Sequence, residues 1–345
     1  MLSNVKIPGN ITELFVLIFD SLKKRTIMLI PSITDIQNAH SRIRPYIHWT
    51  PVLSSSLIDR MFNMEIFFKC ENFQKVGAFK FRGATNAVLQ LTEEEKKRGV
   101  VTHSSGNHAA ALALAASTAG VKAYIVMPDN APDVKKNAVS GYGADITFCK
   151  PTLKAREETA SEIMERTGAV LIHAYDNMNV ICGQGTAALE LLGEKPELDV
   201  IIAPVGGGGL LSGTAIAAKG ISTGVKVFGA EPLNANDAYR SFISGKLVPS
   251  VNPKTIADGL LTSLSERTFY IIRNNVDGIF TVNEESIVNA MQLIWERMKI
   301  IVEPSSATVL AVIMENPGLF AGKKVGLIIS GGNVDLKRLP FKQAS

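Results

Sequence analysis

The sequence predicts an α/β protein whose parallel β-sheets are flanked by helices. Short apolar runs rich in Val and Ile alternate along the chain with longer segments rich in Ala, Leu, Lys and Glu. Strands that alternate with helices in this way form βαβ units, and the strands of such units lie parallel. The chain has 345 residues, 46% of them hydrophobic, which is enough to enclose these sheets in a sizeable core.

The same alternation assigns the elements in chain order. The predicted strands are residues 99–103, 123–128, 145–149, 200–205, 225–230 and 325–330. The predicted helices are residues 108–120, 131–143, 156–168, 210–220 and 284–298. Gly120, Gly141 and Gly168 are predicted to close helices as in a Schellman motif, where a glycine takes the left-handed conformation.

Composition narrows the classes of function. The net charge is +4 and no concentrated basic stripe is present, which argues against nucleic acid as the main partner. Cys70, Cys149 and Cys182 are sparse and lack the spacing of metal ligands. We therefore expect reduced thiols in a cytoplasmic protein.

We expect the N-terminal region to be neither a membrane span nor an export signal. Its apolar run, Leu14 to Phe19, is too short to cross a bilayer, so we predict no membrane partner. No basic segment precedes the run, and no small-residue cleavage site follows it closely. Residues 1–30 are predicted to be an extension outside the core fold, with Met28 as a candidate natural start.

The loops that follow three strands are chemically unusual, and ligands of parallel sheets bind at such strand ends. They are residues 102–110, 204–213 and 328–336, with the sequences THSSGNHAA, PVGGGGLLSG and IISGGNVDL. In the second loop, Gly206 to Gly209 leave backbone N–H groups bare at the positive end of a helix, which is typical of a phosphate cradle. A flexible turn is the alternative, but one glycine would serve that purpose at a lower cost in entropy. The spacing fits neither a dinucleotide fingerprint nor a Walker loop.

A lysine in an apolar segment supplies the second part of the site. Lys80 lies between Phe79 and Phe81, and lysine is rarely buried without a partner. A desolvated amine is reactive and can form a Schiff base with an aldehyde. An aldehyde that carries a phosphate suggests pyridoxal phosphate, for which Ser330 could partner the pyridine nitrogen and Asn107 the phenolic oxygen. A surface lysine with a solvated amine is the alternative for Lys80 alone.

Several motifs together resemble serine racemase and the serine/threonine dehydratases of pyridoxal phosphate fold type II. The resemblance extends from about residue 30 to residue 340, and its motifs appear in order at matching spacing. They are ENFQKVGAFKFRGATNAV, THSSGNHAAALA, ICGQGTAALELL, PVGGGGLLSGTA, AEPLNAND, IADG, WERMKIIVEPSSA and ISGGNVDL. The resemblance implies two open parallel-sheet domains with the cofactor in the cleft between them, and a homodimer. The large domain would comprise residues 31–98 and 177–341, and a small mobile domain residues 99–176.

The resemblance also implies a role for each matching residue. Lys80 matches the Schiff-base lysine that acts as a base on one face of the cofactor. The other predicted cofactor-binding residues are Phe79 beside the ring, Asn107, Gly206, Gly207, Gly208, Gly209 and Ser330. The predicted substrate-binding residues are Ser104, Ser105, Gly106, Asn107 and His108, which match the loop for the substrate carboxylate, and Arg156. His103 and Glu303 stay outside the predicted catalytic set.

Ser105 and Ser330 bear on the type of reaction. Ser105 matches a serine on the face of the ring opposite the lysine, and racemisation needs an acid/base group on each face. A role limited to binding the carboxylate is the alternative. Ser330 is a neutral partner for the pyridine nitrogen, which weakens the ring as an electron sink and favours loss of a β-hydroxyl. The predicted reaction converts L-serine or L-threonine to a 2-oxo acid and ammonia, with serine racemisation beside it.

Other interpretations of the family resemblance remain open. Tyr175 and Asp176 differ from the mammalian racemase pattern, which leaves 3-hydroxyaspartate as a further small hydroxy amino-acid substrate. A β-replacement enzyme of the cysteine synthase kind is a rival within the same fold. A binding protein that has kept the fold without catalysis is the non-enzyme alternative, and the intact lysine, glycine loop and serine argue against it.

Two accessory ligands are also considered. Glu231, Ala235 and Asp237 suit Mg²⁺ or Ca²⁺ through two carboxylates and a carbonyl, and they match the metal loop of the racemases. An acidic helix cap is the alternative. For ATP as an effector, positions 76 and 110 depart from the mammalian pattern, with Val76 for threonine and Ala110 for glutamine. The positions that match that pattern are Ser55, Ser56, Lys75, Lys135, Tyr142 and Asn333.

Overall fold

The computed structural model describes residues 29–104, 106–131 and 133–341, so Ser105 and nearly all of the predicted N-terminal extension lie outside the described residues. All elements below belong to the unit Pro31–Ser345. The strands are β1 (Val52–Leu53), β2 (Glu65–Cys70), β3 (Val100–His103), β4 (Ala123–Pro128), β5 (Asp145–Cys149), β6 (Val170–Leu171), β7 (Val200–Pro204), β8 (Lys226–Pro232), β9 (Gly278–Val282) and β10 (Lys324–Ile329).

The helices cover the faces of these sheets. They are α1 (Ile33–Ile43), α2 (Ser56–Phe62), α3 (Lys80–Leu89), α4 (Glu93–Arg98), α5 (Asn107–Thr118), α6 (Asp133–Gly141), α7 (Leu153–Thr167), α8 (Met178–Glu194), α9 (Gly209–Ile221), α10 (Asp237–Ser244), α11 (Glu266–Asn275), α12 (Glu284–Met298), α13 (Pro304–Glu315) and α14 (Pro317–Phe320). Among the described helices, none combines the length and apolar character needed to cross a membrane.

The strands form two sheets. The larger has the order β1-β2-β10-β7-β8-β9, and its strands are parallel except for the edge strand β1. The smaller has the order β5-β4-β3-β6 and is parallel throughout. The predicted α/β class is confirmed, and every predicted strand is present. All strands of the smaller sheet lie within the predicted small domain, residues 99–176, although the domain boundaries themselves stay a prediction.

Both faces of the larger sheet are buried, as expected for parallel strands. On β7, Val200 and Ile202 face a core that contains residues of α12 and α13. Ile201 and Ala203 point to the opposite face, where they pack with residues of α8, α9 and α11. The loops beyond β7 and β10 are therefore held by strands that solvent reaches from neither side.

Glycine ends two of the predicted helices as expected, but one prediction is wrong. Gly120 and Gly168 take positive φ angles of 67° and 70° just after α5 and α7. Gly141 instead lies within the last turn of α6, and the left-handed residue is Gly143, with φ 79°. The sequence offers two glycines at this end, and the turn places the second of them in the left-handed region.

Helices α3 and α8 approach each other through glycines, which fixes the helix that begins with Lys80. A Cβ at Gly183 of α8 would lie 2.5 Å from the Gly83 Cα and 2.6 Å from the Arg82 carbonyl oxygen. A Cβ at Gly83 would lie 2.7 Å from the Val180 carbonyl oxygen. Because these neighbours are backbone atoms, a methyl group at either position would push the helices apart.

Gly183→Ala should therefore lower the free energy of unfolding by about 1–3 kcal/mol, the usual range for overpacking. Gly193→Ala is a matched control on the same helix, since nothing lies within 4 Å of its added Cβ. That variant should be neutral or roughly 0.5–1 kcal/mol more stable because alanine favours helix. Urea denaturation of both variants measures the difference, and equal stabilities would contradict the close approach of α3 and α8.

Candidate active site

Lys80 is the first residue of α3 and is partly buried. Its Nζ donates a hydrogen bond to the Ala174 carbonyl at 3.0 Å and lies 5.0 Å from the centroid of the Phe79 ring. Burial lowers the pKa of Lys80 to about 8, and the negative charge of Glu303 opposes this shift. The uncharged amine, which is the state that attacks an aldehyde, is therefore far more populated near neutral pH than in an ordinary lysine.

The end of β10 lies beside the backbone of Lys80. The N–H of Phe79 donates to the Ser330 carbonyl at 2.9 Å, and Ala78 forms a bridge with Gly331. The Ser330 hydroxyl is buried and lies 2.9 Å from the Ser306 hydroxyl. Ser306 can donate its single proton either to Ser330 or to the Gly331 carbonyl at 2.7 Å. In the first arrangement, Ser330 can donate its own proton to an uncharged nitrogen, such as the pyridine nitrogen that the sequence predicts it to bind.

The glycine loop is buried and its N–H groups lack partners. Gly206 to Gly209 join β7 to α9, and Gly208 takes a φ of 86°, which favours glycine. Among the described residues, no acceptor pairs with the N–H groups of Gly206, Gly207 and Gly208. A Cβ at Gly206 would lie 3.0 Å from the Leu260 Cα, and one at Gly207 would overlap the Tyr175 ring. Buried unpaired N–H groups are rare, so this loop has the properties of an anion site.

One short segment contacts both the lysine and the glycine loop. Ala174 accepts the hydrogen bond from Lys80, and the next residue, Tyr175, packs over Gly207 and Gly209. The residue that accepts the hydrogen bond from Lys80 and the residue that packs on the glycine loop are therefore adjacent in the chain. A compact ligand with an aldehyde and a phosphate fits between these two features.

The segment is braced by its neighbours. Tyr175 contacts the His173 ring edge-on at 4.5 Å, and Asp176 pairs with Arg267 at 2.7 Å. The His173 Nδ1 accepts from the N–H of Asp176 at 3.0 Å. Burial, followed by the charge of neighbouring His103, lowers the pKa of His173 to about 4, so the ring is neutral and can accept.

Asn107, the first residue of α5, bonds a buried carboxylate. Its Nδ2 lies 3.1 Å from both oxygens of Glu303, and its Oδ1 accepts from Asn333 at 2.9 Å. Burial raises the pKa of Glu303 to about 7, against the opposing hydrogen bond from Asn107. An amide has two N–H groups and Glu303 takes one, so the other can serve a phenolic oxygen.

The remaining predicted substrate residues lie on the loop before α5 and on α7. Ser104 and Gly106 are partly buried, whereas His108 is buried with its Nε2 3.0 Å from the Ile172 carbonyl. Burial lowers the pKa of His108 to about 3 and that of His103 below its usual range. The Nε of Arg156 is buried and has no partner among the described residues.

The predicted metal residues combine a helix cap with an unpaired carboxylate. Glu231 accepts from the N–H groups of Ala238 and Tyr239, both at 2.8 Å, at the start of α10. Within the described part of the chain, neither carboxylate oxygen of buried Asp237 makes a hydrogen bond of good geometry, although the Ser250 side chain and the Leu264 backbone lie close enough to oppose the effect of burial on its pKa. Burial raises the pKa of Glu231 to about 8 and that of Asp237 to about 6. Within those residues no group of three or more His, Cys, Asp or Glu is arranged for a metal.

A cavity of about 740 Å³ adjoins the site. Its lining includes the predicted effector residues Lys135, Tyr142 and Asn333, together with Val76 and Ala110. The amine of Lys135 is paired with Asp258, which also lines the cavity, at 2.7 Å.

The sequence matches the family described as pyridoxal-phosphate dependent enzyme over residues 43–331. The chain belongs to this family. It is 54% identical over 314 residues to serine racemase from Dictyostelium discoideum, which covers 89% of this chain and 96% of that protein. It is 48% identical over 312 residues to L-threo-3-hydroxyaspartate ammonia-lyase from Saccharomyces cerevisiae, which covers 90% of this chain and 96% of that relative. The crystal structure of the Dictyostelium discoideum serine racemase superimposes with a TM-score of 0.85 at 56% identity, covering 88% of this chain and 99% of that one.

These findings confirm the predicted family, its fold type II architecture and pyridoxal phosphate as the cofactor of this pyridoxal-phosphate dependent enzyme. The residues present also fit that cofactor. The unpaired N–H groups of the glycine loop suit its phosphate, and the Lys80 amine suits its aldehyde. The role of each residue toward the cofactor stays a prediction.

Sequence reasoning missed one contributor to the site and left the contacts of two others unassigned. Ser306 has no role predicted from the sequence, although two consecutive serines after Glu303-Pro304 are a signal for hydroxyl groups at a helix start. Tyr175 is predicted only to affect substrate preference, and its cover of the glycine loop needs the fold. Glu303 is expected near the cofactor ring but outside the catalytic set, and its contact with Asn107 joins residues too far apart in sequence for local patterns to find.

The lowered pKa of Lys80 predicts how the apoenzyme takes up its cofactor. The rate of capture of pyridoxal phosphate should rise about tenfold per pH unit below pH 8 and level off above it, because only the uncharged amine reacts. Stopped-flow absorbance in the visible range measures this rate. The same reaction with Nα-acetyl-lysine corrects for the pH dependence of the cofactor itself. A rate that climbs without a plateau to about pH 10.4 would show an ordinary lysine.

Proposed function

We propose that this enzyme is an ammonia-lyase for small hydroxy amino acids, converting L-serine or L-threonine to a 2-oxo acid and ammonia, with a serine racemase activity. The observation that carries the proposal is the convergence of Lys80, at the start of α3, with the Ser330 hydroxyl and the unpaired glycine N–H groups that follow the neighbouring strands β10 and β7. The names of the relatives, a serine racemase and a hydroxyaspartate ammonia-lyase, support the same class of reaction.

Pyridoxal phosphate, when bound, supplies an electron-withdrawing ring that acidifies the Cα–H of an attached amino acid. The chain's own residues then determine the outcome of the reaction. Lys80, with its pKa near 8, takes the Cα proton as an uncharged amine and carries it as an ammonium. Ser330 offers the ring nitrogen a neutral hydroxyl, so loss of the β-hydroxyl as water is favoured over a long-lived carbanion. Hydrolysis of the dehydrated product gives the 2-oxo acid and ammonia.

Racemisation requires a second acid/base group on the other face of the substrate. Lys80 serves one face, and Ser105 is the group that the family resemblance assigns to the other. Ser104 and Gly106, its neighbours in the chain, begin the loop that leads into α5. The proposed role of Ser105 rests on sequence alone.

3-Hydroxyaspartate is a second candidate substrate. Its extra carboxylate needs a cation, and Arg156 has a buried Nε without a partner in the described residues. The hydroxyaspartate relative at 48% identity favours the same possibility. An enzyme of this kind would prefer 3-hydroxyaspartate to serine, and Arg156 would carry the preference.

We also infer a divalent cation, Mg²⁺ or Ca²⁺, held by Glu231, the Ala235 carbonyl and Asp237. The support is the buried Asp237 carboxylate, which has no cationic side chain within ion-pair distance among the described residues, because a buried charge without a counter-charge is costly and a cation would offset that cost. ATP as an effector, a homodimeric assembly and a cytoplasmic location remain predictions of the family resemblance.

A panel of amino acids tests the main proposal. The purified enzyme should release pyruvate from L-serine and 2-oxobutyrate from L-threonine without a second nucleophile, and chiral chromatography should detect D-serine. Lys80→Ala should lower turnover by roughly 10²–10⁴-fold because it removes the base. A strict need for an added thiol would favour the β-replacement alternative, and faster turnover of 3-hydroxyaspartate would favour the second candidate.

Ser105→Ala separates the two activities. If Ser105 serves the second face, the variant should lose serine racemisation and most elimination from D-serine, while elimination from L-serine survives in part through Lys80. Steady-state kinetics on both enantiomers measure the split. A serine that only binds the carboxylate would weaken both enantiomers alike, mainly through KM.

Chelation tests the cation site. Removing the ion should lower Tm, and restoring it at 100 times Kd should return about 2.7 kcal/mol, because the ion binds only the folded state. Asp237→Asn should abolish this response and should be at least as stable as the chelated parent, since its buried charge is gone. Asp277→Asn, which removes a carboxylate paired with two lysines, should keep the response. Unchanged melting curves with chelator and with cation would exclude the site.

A further inference from the structure

A network of buried charges lies directly behind the helix turn that carries Lys80. Arg82, Glu71 and Lys69 are fully buried, and Glu190 is only 2% exposed. Two positive and two negative side chains therefore lie together away from solvent. Such a network is costly unless every charge is paired and every donor is bonded.

Arg82 satisfies its donors through two carboxylates. Its Nε and Nη2 donate to Glu71 at 2.7 and 2.9 Å, and its Nη1 and Nη2 donate to Glu190, both at 2.7 Å. The Nη1 also reaches the Thr186 hydroxyl at 3.1 Å, and the Nη2 the Thr50 hydroxyl at 3.3 Å. Each carboxylate accepts two hydrogen bonds from Arg82, a bidentate geometry that only the planar guanidinium provides.

The contacts of Arg82 join the elements that position Lys80. Glu71 directly follows β2, which pairs with β10, the strand that ends beside Ser330. Glu190 and Thr186 belong to α8, which begins shortly after Ala174, the acceptor of the Lys80 hydrogen bond. Lys80 and Arg82 are the first and third residues of α3, so their side chains leave the helix about 200° apart. One can therefore face the cleft while the other is anchored in the interior.

We propose that Arg82 is a positioning residue for the reaction: its bidentate contacts to Glu71 and Glu190 hold the first turn of α3 so that the Lys80 amine meets the cofactor aldehyde. The inference rests on the proposed function and adds a residue that contacts neither cofactor nor substrate. A purely stabilising role for Arg82 is the alternative. If Arg82 is a positioning residue, replacing it misplaces the Lys80 amine even in protein that is still folded. If its role is only to stabilise, the folded variant keeps the amine in place.

Arg82→Lys tests the proposal because it keeps the positive charge but cannot make two hydrogen bonds to each carboxylate as the planar guanidinium does. The full chain is stripped of cofactor and given either pyridoxal phosphate or pyridoxine 5′-phosphate, which has an alcohol in place of the aldehyde. Capture of the aldehyde, a condensation that releases water, should slow by on the order of ten- to a hundredfold, the effect of a small misplacement. Affinity for pyridoxine 5′-phosphate should stay within about twofold, because that ligand does not need the Lys80 amine.

Ile294→Ala is the control for stability. Ile294 is fully buried on α12 and belongs to a different core cluster from the residues around α3. This variant should lower Tm but leave the capture rate unchanged. Slower capture by Ile294→Ala, or a parallel loss of capture rate and analogue affinity in Arg82→Lys, would overturn the proposal.

Thr186→Val decides the question if Arg82→Lys does not fold. It removes only one of the bonds to Arg82 and should slow capture in the same direction with the analogue affinity unchanged. Capture at the parental rate would overturn the proposal. A parental enzyme that does not capture pyridoxal phosphate at all would instead contradict the proposed function.

Discussion

The chemistry depends on an amine that gives up its proton more easily than an ordinary lysine and is fixed beside an anion site. Burial of Lys80 provides the first condition and lowers its pKa to about 8. The parallel sheets provide the second, because the ends of adjacent strands bring the glycine loop and Ser330 to the same region. The amine can be buried without an ion pair because the Ala174 carbonyl accepts one of its protons.

The unpaired polar groups of the described residues mark where ligands are needed. The N–H groups of Gly206, Gly207 and Gly208 have no acceptor, and the oxygens of Asp237 make no hydrogen bond of good geometry. Natural proteins rarely leave such groups unpaired in the interior. Behind Lys80 the opposite holds, since Arg82 uses every donor of its guanidinium. The hydrogen-bonding groups of Arg82 are therefore all used within the protein, whereas the glycine loop has N–H groups that suit a phosphate and Asp237 has oxygens that suit the proposed cation.

Much of the site was predictable because its chemistry demands particular residue types at strand ends. Lys80 beside phenylalanines, four successive glycines and Ser330 after a strand each carry a local signal. The partners of those residues carry none. Ser306 meets Ser330 across 24 positions of sequence, and Arg82 meets Glu190 across 108, so only the fold brings them together. The same limit explains Gly141, where the local pattern indicates a helix end and the turn uses Gly143 instead.

Strand prediction succeeded for similar reasons. Fully buried parallel strands such as β7 and β10 are continuous apolar runs, which a sequence displays directly. The strands β1, β2, β6 and β9 are not among those predicted from the sequence. The strands β1 and β6 have two residues each and lack such runs, and their pairing depends on neighbours far along the chain. The helix α7 begins three residues before the predicted bound because the capping side chain of Thr152 starts it ahead of the apolar pattern. The bounds of α12 are as predicted, and its capping residue Asn283 directly precedes the predicted segment.

The most direct test of this account is to locate the covalent link. The enzyme is loaded with pyridoxal phosphate, reduced with borohydride and digested, and the modified peptide is sequenced by mass spectrometry. We expect a single phosphopyridoxyl group on Lys80, within the peptide that begins after Lys75. A label on any other lysine, or reduction that leaves Lys80 unmodified, would contradict the central assignment.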